Sequence, residues 1–160
     1  MLRRLGNFDM IVASADNGIP LMKATLALLA DAANVSQEGK LNVLGIFNNI
    51  NAKEFPTQHP TMQLVLRFEA SIAEAGMKKK LTVKVLGEDG EQIGEIGGEI
   101  QLPEKPRRSG TPLQMQAIVP VIGAVFPKPG QYVFSVIIDG NVEQETGLSI
   151  TKVQTNGGDK

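Results

Sequence analysis

The chain has 160 residues, of which 42% are hydrophobic and 4% aromatic, and this predicts a single domain with an aliphatic core. Its 16 basic and 17 acidic residues leave a net charge of −1, so charge favours neither nucleic acid nor an anionic membrane as a partner. The absence of cysteine excludes disulfides, thiolate metal sites and cysteine nucleophiles, and a single histidine excludes a histidine-rich metal site. We therefore expect no cofactor, and we expect the cytoplasm as the location.

The first 21 residues do not follow the pattern of the rest. Arg3 and Arg4 precede an apolar stretch of only residues 10–13, which is too short for the core of a signal peptide. A second methionine, Met22, stands directly before the first predicted strand. The predicted organisation is an N-terminal arm or upstream extension over residues 1–21, a β-sandwich domain over residues 22–152 and a flexible tail over residues 153–160.

From Lys23 onward, short apolar runs alternate with turn signals, and few segments have the spacing of an amphipathic helix. The Asp89-Gly90 pair predicts a hairpin, and Pro120 marks an edge, a bulge or a break because proline cannot donate a ladder hydrogen bond. Residues 103–112, with three prolines, predict an exposed loop. The predicted strands cover residues 22–30, 40–50, 62–70, 80–86, 92–102, 113–126 and 131–138, with a last strand that reaches Ile150.

Seven to eight short strands separated by turns predict an all-β fold, a single antiparallel β-sandwich of immunoglobulin-like architecture. The strand over residues 131–138 is apolar on both faces, which is typical of a central strand. The stretch "PGQYVF" favours a tyrosine corner, in which the Tyr132 hydroxyl bonds to upstream backbone. The alternative is a tyrosine that only packs on the core.

The stretch "ANVSQEGKLNVLGIF" passes from polar turn residues directly into an apolar segment, in which Gly45 would permit a bulge or twist. Its polar part is either a tight connection between the first two strands or a recognition loop at one end of the sandwich. The exposed loop over residues 103–112 is a second candidate for recognition. The candidate interaction residues in these two loops are Asn34, Ser36, Gln37, Glu38, Arg107 and Arg108.

Two further groups of residues could carry chemistry, although the sequence favours structural roles for both. His59 lies between two prolines, and neither an orienting partner for a general base nor further metal ligands accompany it, so we expect a structural role in a proline turn. Glu69 and Glu74 could form an acid and base pair, but Arg67 and Glu69 fit a solvated sheet face. No catalytic, cofactor-binding or metal-binding residue is predicted.

The basic and glycine-rich segments also have simple explanations. The run Lys78, Lys79 and Lys80 could bind phosphate or an acidic partner, but no stacking aromatics accompany it. Lysines at the start of a strand also discourage edge-to-edge aggregation, and we favour this interpretation. The segment "GEIGGEI" lacks the glycine order of a phosphate-binding loop and indicates a bulge or a close backbone approach.

Three segments carry a resemblance to a known family: "LALLADAANVSQEGKLNVLGIFNNI", "FPTQHPTMQLVLRFEA" and "VFPKPGQYVFSVIIDG". Over residues 25–150 the chain resembles a bacterial family of small proteins known only as a domain of unknown function. This resemblance implies a compact all-β domain with no assigned activity, cofactor or catalytic residue. Members of that family typically begin close to Met22, which favours an upstream extension here.

The sequence therefore favours a non-enzymatic protein-interaction or assembly module whose partner is an unknown protein or a second copy. The N-terminal arm could reach a neighbour by strand addition. A module that binds carbohydrate or another small ligand is the alternative, although sugar sites commonly use exposed aromatics and this chain has few. A hydrolase that uses Glu69 and Glu74 is the third hypothesis.

Overall fold

The computed structural model describes residues 21–154, so the predicted arm and tail fall almost entirely outside the described residues. Nine strands and one short 3-10 turn, Ile72–Glu74, make up this part of the chain. None of its helical segments is long and apolar enough to cross a membrane. The strands are β1 (Lys23–Val35), β2 (Leu41–Phe47), β3 (Asn49–Ala52), β4 (Thr57–Ala70), β5 (Lys78–Leu86), β6 (Gln92–Gln101), β7 (Leu113–Phe126), β8 (Gly130–Ile138) and β9 (Asn141–Lys152).

The strands form two sheets that enclose one mainly aliphatic core. The four-stranded sheet has the order β2-β1-β4-β7, and the five-stranded sheet has the order β3-β9-β8-β5-β6. Alternate residues of the central strands face inward, so that Leu64 and Leu66 of β4 share the core with Val83 of β5 and Phe134 of β8. All four side chains are fully buried. The all-β prediction is confirmed.

The strand count and the pairing differ from the prediction of seven to eight antiparallel strands. The predicted second strand, residues 40–50, is two strands in different sheets, because the chain crosses from β2 to β3 at Asn48. β3 then pairs with β9 in parallel, with Asn49 opposite Ser149. The apolar run continues on both sides of Asn48, so hydrophobic periodicity alone does not reveal this change of sheet.

Several positional predictions can be compared directly with the sheet order. Pro120 lies in β7, an edge strand, and β8 lies at the centre of its sheet, so both predictions are confirmed. The Tyr132 hydroxyl donates to the Lys128 carbonyl at 2.6 Å, which confirms the tyrosine corner. The three lysines begin β5, which lies between β8 and β6, but pairing with β8 starts only at Leu81, so the lysines pair with β6 alone and their edge-protection role stays a prediction.

Candidate functional site

The connection between β1 and β2 is a tight turn over residues 36–40. The Ser36 amide donates to the Lys40 carbonyl at 2.8 Å, and the Gly39 amide donates to the Ser36 carbonyl at 2.8 Å. The Ser36 hydroxyl accepts from the Lys40 amide at 3.1 Å. Gly39 has a φ of +78°, a conformation that favours glycine. Ser36, one of the predicted recognition residues, therefore builds the turn itself.

This hairpin folds back over the outer side of the four-stranded sheet. β1 pairs with β4 only as far as Ala30, while its pairing with β2 continues to Val35. Leu26 of β1 and Gln116 of β7 both lie opposite Arg67 of β4 and so share one row across the sheet. A straight hairpin would carry its tip about 30 Å beyond this row. Instead, the Gln116 side-chain amide lies 3.4 Å from the Gly39 carbonyl. The tip has therefore returned to the level at which β1 begins.

We attribute the bend in the hairpin to Gly45, which stands opposite Asp31. Gly45 has a φ of +67°, and a Cβ there would collide with the Asp31 carboxylate. The register between β1 and β2 is the same on both sides of this pair, so no bulge is present at Gly45, and its positive φ supports the predicted twist. On the covered side of the sheet, Ala30 and Val65 are fully buried although neither belongs to the core.

The two predicted interaction loops meet at the tip of this hairpin. The Arg107 guanidinium donates to the Glu38 carbonyl at 3.2 Å and to the Gly39 carbonyl at 3.3 Å. These carbonyls belong to residues 68 or more positions away in the sequence, and no local pattern relates them to Arg107. Arg107 therefore holds the hairpin tip against the loop between β6 and β7.

Some of the other predicted interaction residues form side-chain contacts within the domain, and others are exposed at the surface. The Asn34 side-chain oxygen accepts from the Asn42 side-chain Nδ2 at 2.8 Å across the hairpin. The Glu38 carboxylate lies 2.9 Å from the Lys40 ammonium, with both side chains exposed. Gln37 and Arg108 are exposed at the surface, and the Arg108 carbonyl accepts from the Thr111 hydroxyl at 2.8 Å.

A second candidate surface, which the sequence did not reveal, lies where the two sheets meet at their edge strands β6 and β7. Two adjoining apolar cavities of about 330 and 220 Å³ lie between these strands, and we call them together the β6–β7 groove. Edge strands carry backbone N–H and C=O groups without a neighbouring strand. The groove is lined mainly by Val83, Val85, Ile93, Ile96, Val119, Val121, Ile122, Val125 and Phe126.

The β6–β7 groove is unusually apolar for an exposed strand edge. β7 has no charged residue among its 14 residues. Ile122 is 77% exposed and Val125 is 50% exposed. In β6, Gly94 and Gly97 line the groove without a side chain. The single step from Val85 to Leu86 in β5 is matched by two steps in β6, from Gly94 to Gln92, so the predicted bulge is confirmed beside Gly94. The register is regular at Gly97 and Gly98, and no bulge is present there.

The residues weighed for catalysis have separate surroundings. Glu74 is buried and lies 2.7 Å from the Lys79 ammonium, whereas the Glu69 carboxylate accepts from the Gln114 side chain at 3.2 Å. Arg67 is half-buried rather than solvated, and its buried Nε has no hydrogen-bond partner among residues 21–154.

His59 does not lie in a proline turn, as predicted, but in β4, with its ring 5.8 Å from that of Phe47. A shallow depression beside it is lined also by Asp31 and Asn49. Within residues 21–154, no group of three or more potential metal ligands is present.

Comparison with known proteins gives a family and a set of distant structural neighbours. The model described as "Family of unknown function (DUF6941)" matches residues 25–151. No curated protein was found to match the sequence.

The structural neighbours share 13–14% identity with this chain. One is the alkylpurine DNA glycosylase AlkC of Pseudomonas fluorescens bound to DNA containing an abasic site analog, with 14% identity and a TM-score of 0.46. That comparison covers 81% of this chain but only 30% of the glycosylase chain. Another is an immunoglobulin-like protein of Pseudomonas aeruginosa, with 13% identity and a TM-score of 0.42 over 84% of this chain and 99% of the other.

Proposed function

We propose that this chain, which belongs to the family of unknown function DUF6941, is a non-enzymatic protein-interaction module that docks an extended segment of a partner protein in the β6–β7 groove. The proposal specifies the surface and the form of the bound segment. It assigns no catalytic residue.

The observation that carries the proposal is the exposed apolar edge of β7 beside a groove that opens onto the core. An extended segment adding to β7 would gain backbone hydrogen bonds from the strand edge. Alternate side chains of that segment would point into the groove, where Ile93, Ile96 and Val121 offer apolar contacts. Proteins usually protect such an edge with charges or proline; β7 has no charge, and its one proline, Pro120, removes a single backbone donor.

The immunoglobulin-like architecture and the cytoplasmic location are part of the same proposal. We assign an immunoglobulin-like sandwich, and the two facing sheets and the Tyr132 corner support this assignment. The cytoplasm remains a prediction from the cysteine-free sequence.

The direct test compares lysine substitutions at two exposed positions. Ile122→Lys places a charge in the groove, whereas Val142→Lys places one on β9, where the native side chain is 59% exposed. Tagged wild-type protein and both variants are used to recover partners from the native host, and bound proteins are quantified by mass spectrometry. We expect one near-stoichiometric protein that Val142→Lys retains and Ile122→Lys loses.

A folding control and two defined outcomes make this comparison decisive. Circular dichroism and thermal unfolding of both variants establish that each is folded. If a stoichiometric partner binds wild type and Ile122→Lys equally, the groove is not the docking surface. If wild type recovers no such partner in repeated experiments, the protein-partner proposal fails.

A small apolar ligand is the second candidate, and the size of the larger cavity favours it. A cavity of about 330 Å³ lies at the lower end of the usual range for small-molecule sites. Carbohydrate is disfavoured, because the only aromatic side chain in the lining, Phe126, is fully buried. Native mass spectrometry of protein purified from the host would show a retained mass if such a ligand binds, and Ile122→Lys would abolish it.

A further inference from the structure

Three hydrogen-bond donor side chains converge at the tip of the hairpin formed by β1 and β2. The Gly39 carbonyl lies 3.3 Å from Arg107 Nη1 and 3.4 Å from Gln116 Nε2, so side chains from two elements share one acceptor. Gln116 stands directly opposite Arg67 in the pairing of β4 with β7, where Cβ atoms lie about 5 Å apart. Because the adjoining Leu66 packs in the core, Arg67 and Gln116 project from the outer side of the sheet, beneath the hairpin.

Arg67 has a donor at this place that the fold does not use. Its Nε is buried and has no hydrogen-bond partner among residues 21–154. A buried donor without an acceptor lowers stability, and such atoms are rare in folded proteins. An oxygen atom bound beside Gln116 would supply the acceptor.

The positive charge at the hairpin tip is not compensated either. Within the described part of the chain, neither Arg67 nor Arg107 forms an ion pair. The acids beside them are engaged elsewhere, since the Glu38 carboxylate lies 2.9 Å from the Lys40 ammonium. The Glu69 carboxylate, on the same face of β4 as Arg67, accepts from a side chain of β7. A ligand with two negative charges would therefore complement the two guanidinium groups.

The hairpin tip occupies these donors with long hydrogen bonds. The Glu38 carbonyl accepts from Arg107 at 3.2 Å, and both contacts of the Gly39 carbonyl are longer still. Hydrogen bonds from a charged donor to an ionised oxygen are shorter and about twice as strong as neutral ones. An oxyanion would compete with the two carbonyls for the same donors, and their partial negative charge prevents simultaneous occupancy.

We propose that Arg67, Arg107 and Gln116 form a phosphate site that the hairpin tip covers when no ligand is bound, and that phosphate displaces the tip. A phosphate group carries nearly two negative charges at neutral pH, whereas a carboxylate carries one. Gly39 permits the covered state, because a Cβ at this position would collide with the Arg107 guanidinium. None of the three donor residues lines the β6–β7 groove, so this site is independent of the proposed docking function.

Titration of the full chain with inorganic phosphate tests the site, with acetate and chloride at matched ionic strength for comparison. Calorimetry measures binding, and amide hydrogen exchange measures the opening of the hairpin tip. We expect saturable binding of phosphate together with a several-fold acceleration of exchange over residues 36–40. General stabilisation by phosphate as a salt would slow exchange instead. If acetate binds as well as phosphate, the assignment of a phosphate ligand is wrong.

Three substitutions by methionine locate the site. Arg67→Met and Arg107→Met should each weaken phosphate binding on the order of tenfold, whereas Arg108→Met, the control in the same loop, should bind as wild type does. Arg67→Met also removes the unpartnered Nε, so its urea midpoint without phosphate should be no lower than that of wild type. A purely structural role of Arg67 would lower the midpoint. Gln116→Met tests the same site from β7 if Arg67→Met does not fold.

Three results would overturn the proposal. The first is the absence of saturable phosphate binding to wild type. The second is equal binding by Arg107→Met and Arg108→Met, which would place the phosphate elsewhere. The third is binding that leaves exchange over residues 36–40 unchanged or slower, because the hairpin tip would then not be displaced. Recovery of a partner by the β6–β7 groove is measured separately and does not depend on any of these results.

Discussion

The ammonium of Lys79 lies 2.7 Å from the carboxylate of Glu74, and both side chains are withdrawn from water, with 11% and 2% exposed. The same carboxylate accepts from the Met22 amide at 3.3 Å and from the Ser71 amide at 3.1 Å. The start of β1, the 3-10 turn and the start of β5 are thus joined by one buried acid.

Removal of the Lys79 ammonium should lower stability because it leaves the buried Glu74 carboxylate without its cationic partner. We expect Lys79→Met to lower the free energy of unfolding by about 3 kcal/mol, measured by urea denaturation. The double variant Lys79→Met with Glu74→Gln should be less destabilised than the sum of the single variants. Lys78→Met is the control, since its pair with Glu99 is exposed and should contribute less than about 1 kcal/mol. Equal losses for Lys78→Met and Lys79→Met would contradict this account.

The hydroxyl and the ring of Tyr132 should make separate contributions to the free energy of unfolding. Tyr132→Phe removes the hydrogen bond to the Lys128 carbonyl and should lower the free energy of unfolding by about 1 kcal/mol. Tyr132→Leu also removes the edge-to-face contact with Phe126, whose ring centroid lies 5.0 Å away, and should cost more. If chemical denaturation finds Tyr132→Phe as stable as wild type, the hydroxyl does not contribute to stability.

Arg107 should control the opening of the hairpin tip without controlling global stability. Arg107→Ala removes the donors to the Glu38 and Gly39 carbonyls, so amide exchange over residues 36–40 should accelerate several-fold. The free energy of unfolding should fall by less than about 1 kcal/mol, since these contacts are exposed. Arg108→Ala is the matched control, because only the Arg108 backbone carbonyl is bonded. Equal exchange in the two variants would show that the guanidinium does not hold the tip.

The features that sequence could predict are those encoded within one strand or one turn. Tyr132 and Lys128 are four residues apart, and Pro120 signals its edge position through its own missing donor. The contact between Arg107 and Gly39 spans 68 residues, and it depends on a bend at Gly45 that composition alone does not locate. The β6–β7 groove requires the order of strands in both sheets, because its two walls come from different sheets.

Glu143 provides a test of how pH affects stability. Partial burial raises the pKa of this carboxyl above its ordinary value of 4.5, and the nearby Lys23 charge opposes the shift. A raised pKa in the folded state means that the neutral form is favoured by folding. The resulting stability is present at low pH and is lost as the pH rises through the folded pKa, so ionised Glu143 disfavours the fold near neutrality.

Glu143→Gln keeps the shape of the side chain and removes its charge. We expect a small increase in the free energy of unfolding at about pH 7, and no increase at about pH 3, where the native carboxyl is already protonated. Glu145→Gln, at an exposed position on the same strand, is the control and should not show this pH-dependent gain. Urea denaturation at the two pH values measures both variants against wild type. A gain that is equal at both pH values would mean that the substitution acts through packing or hydrogen bonding, because the charge of Glu143 is present at only one of them.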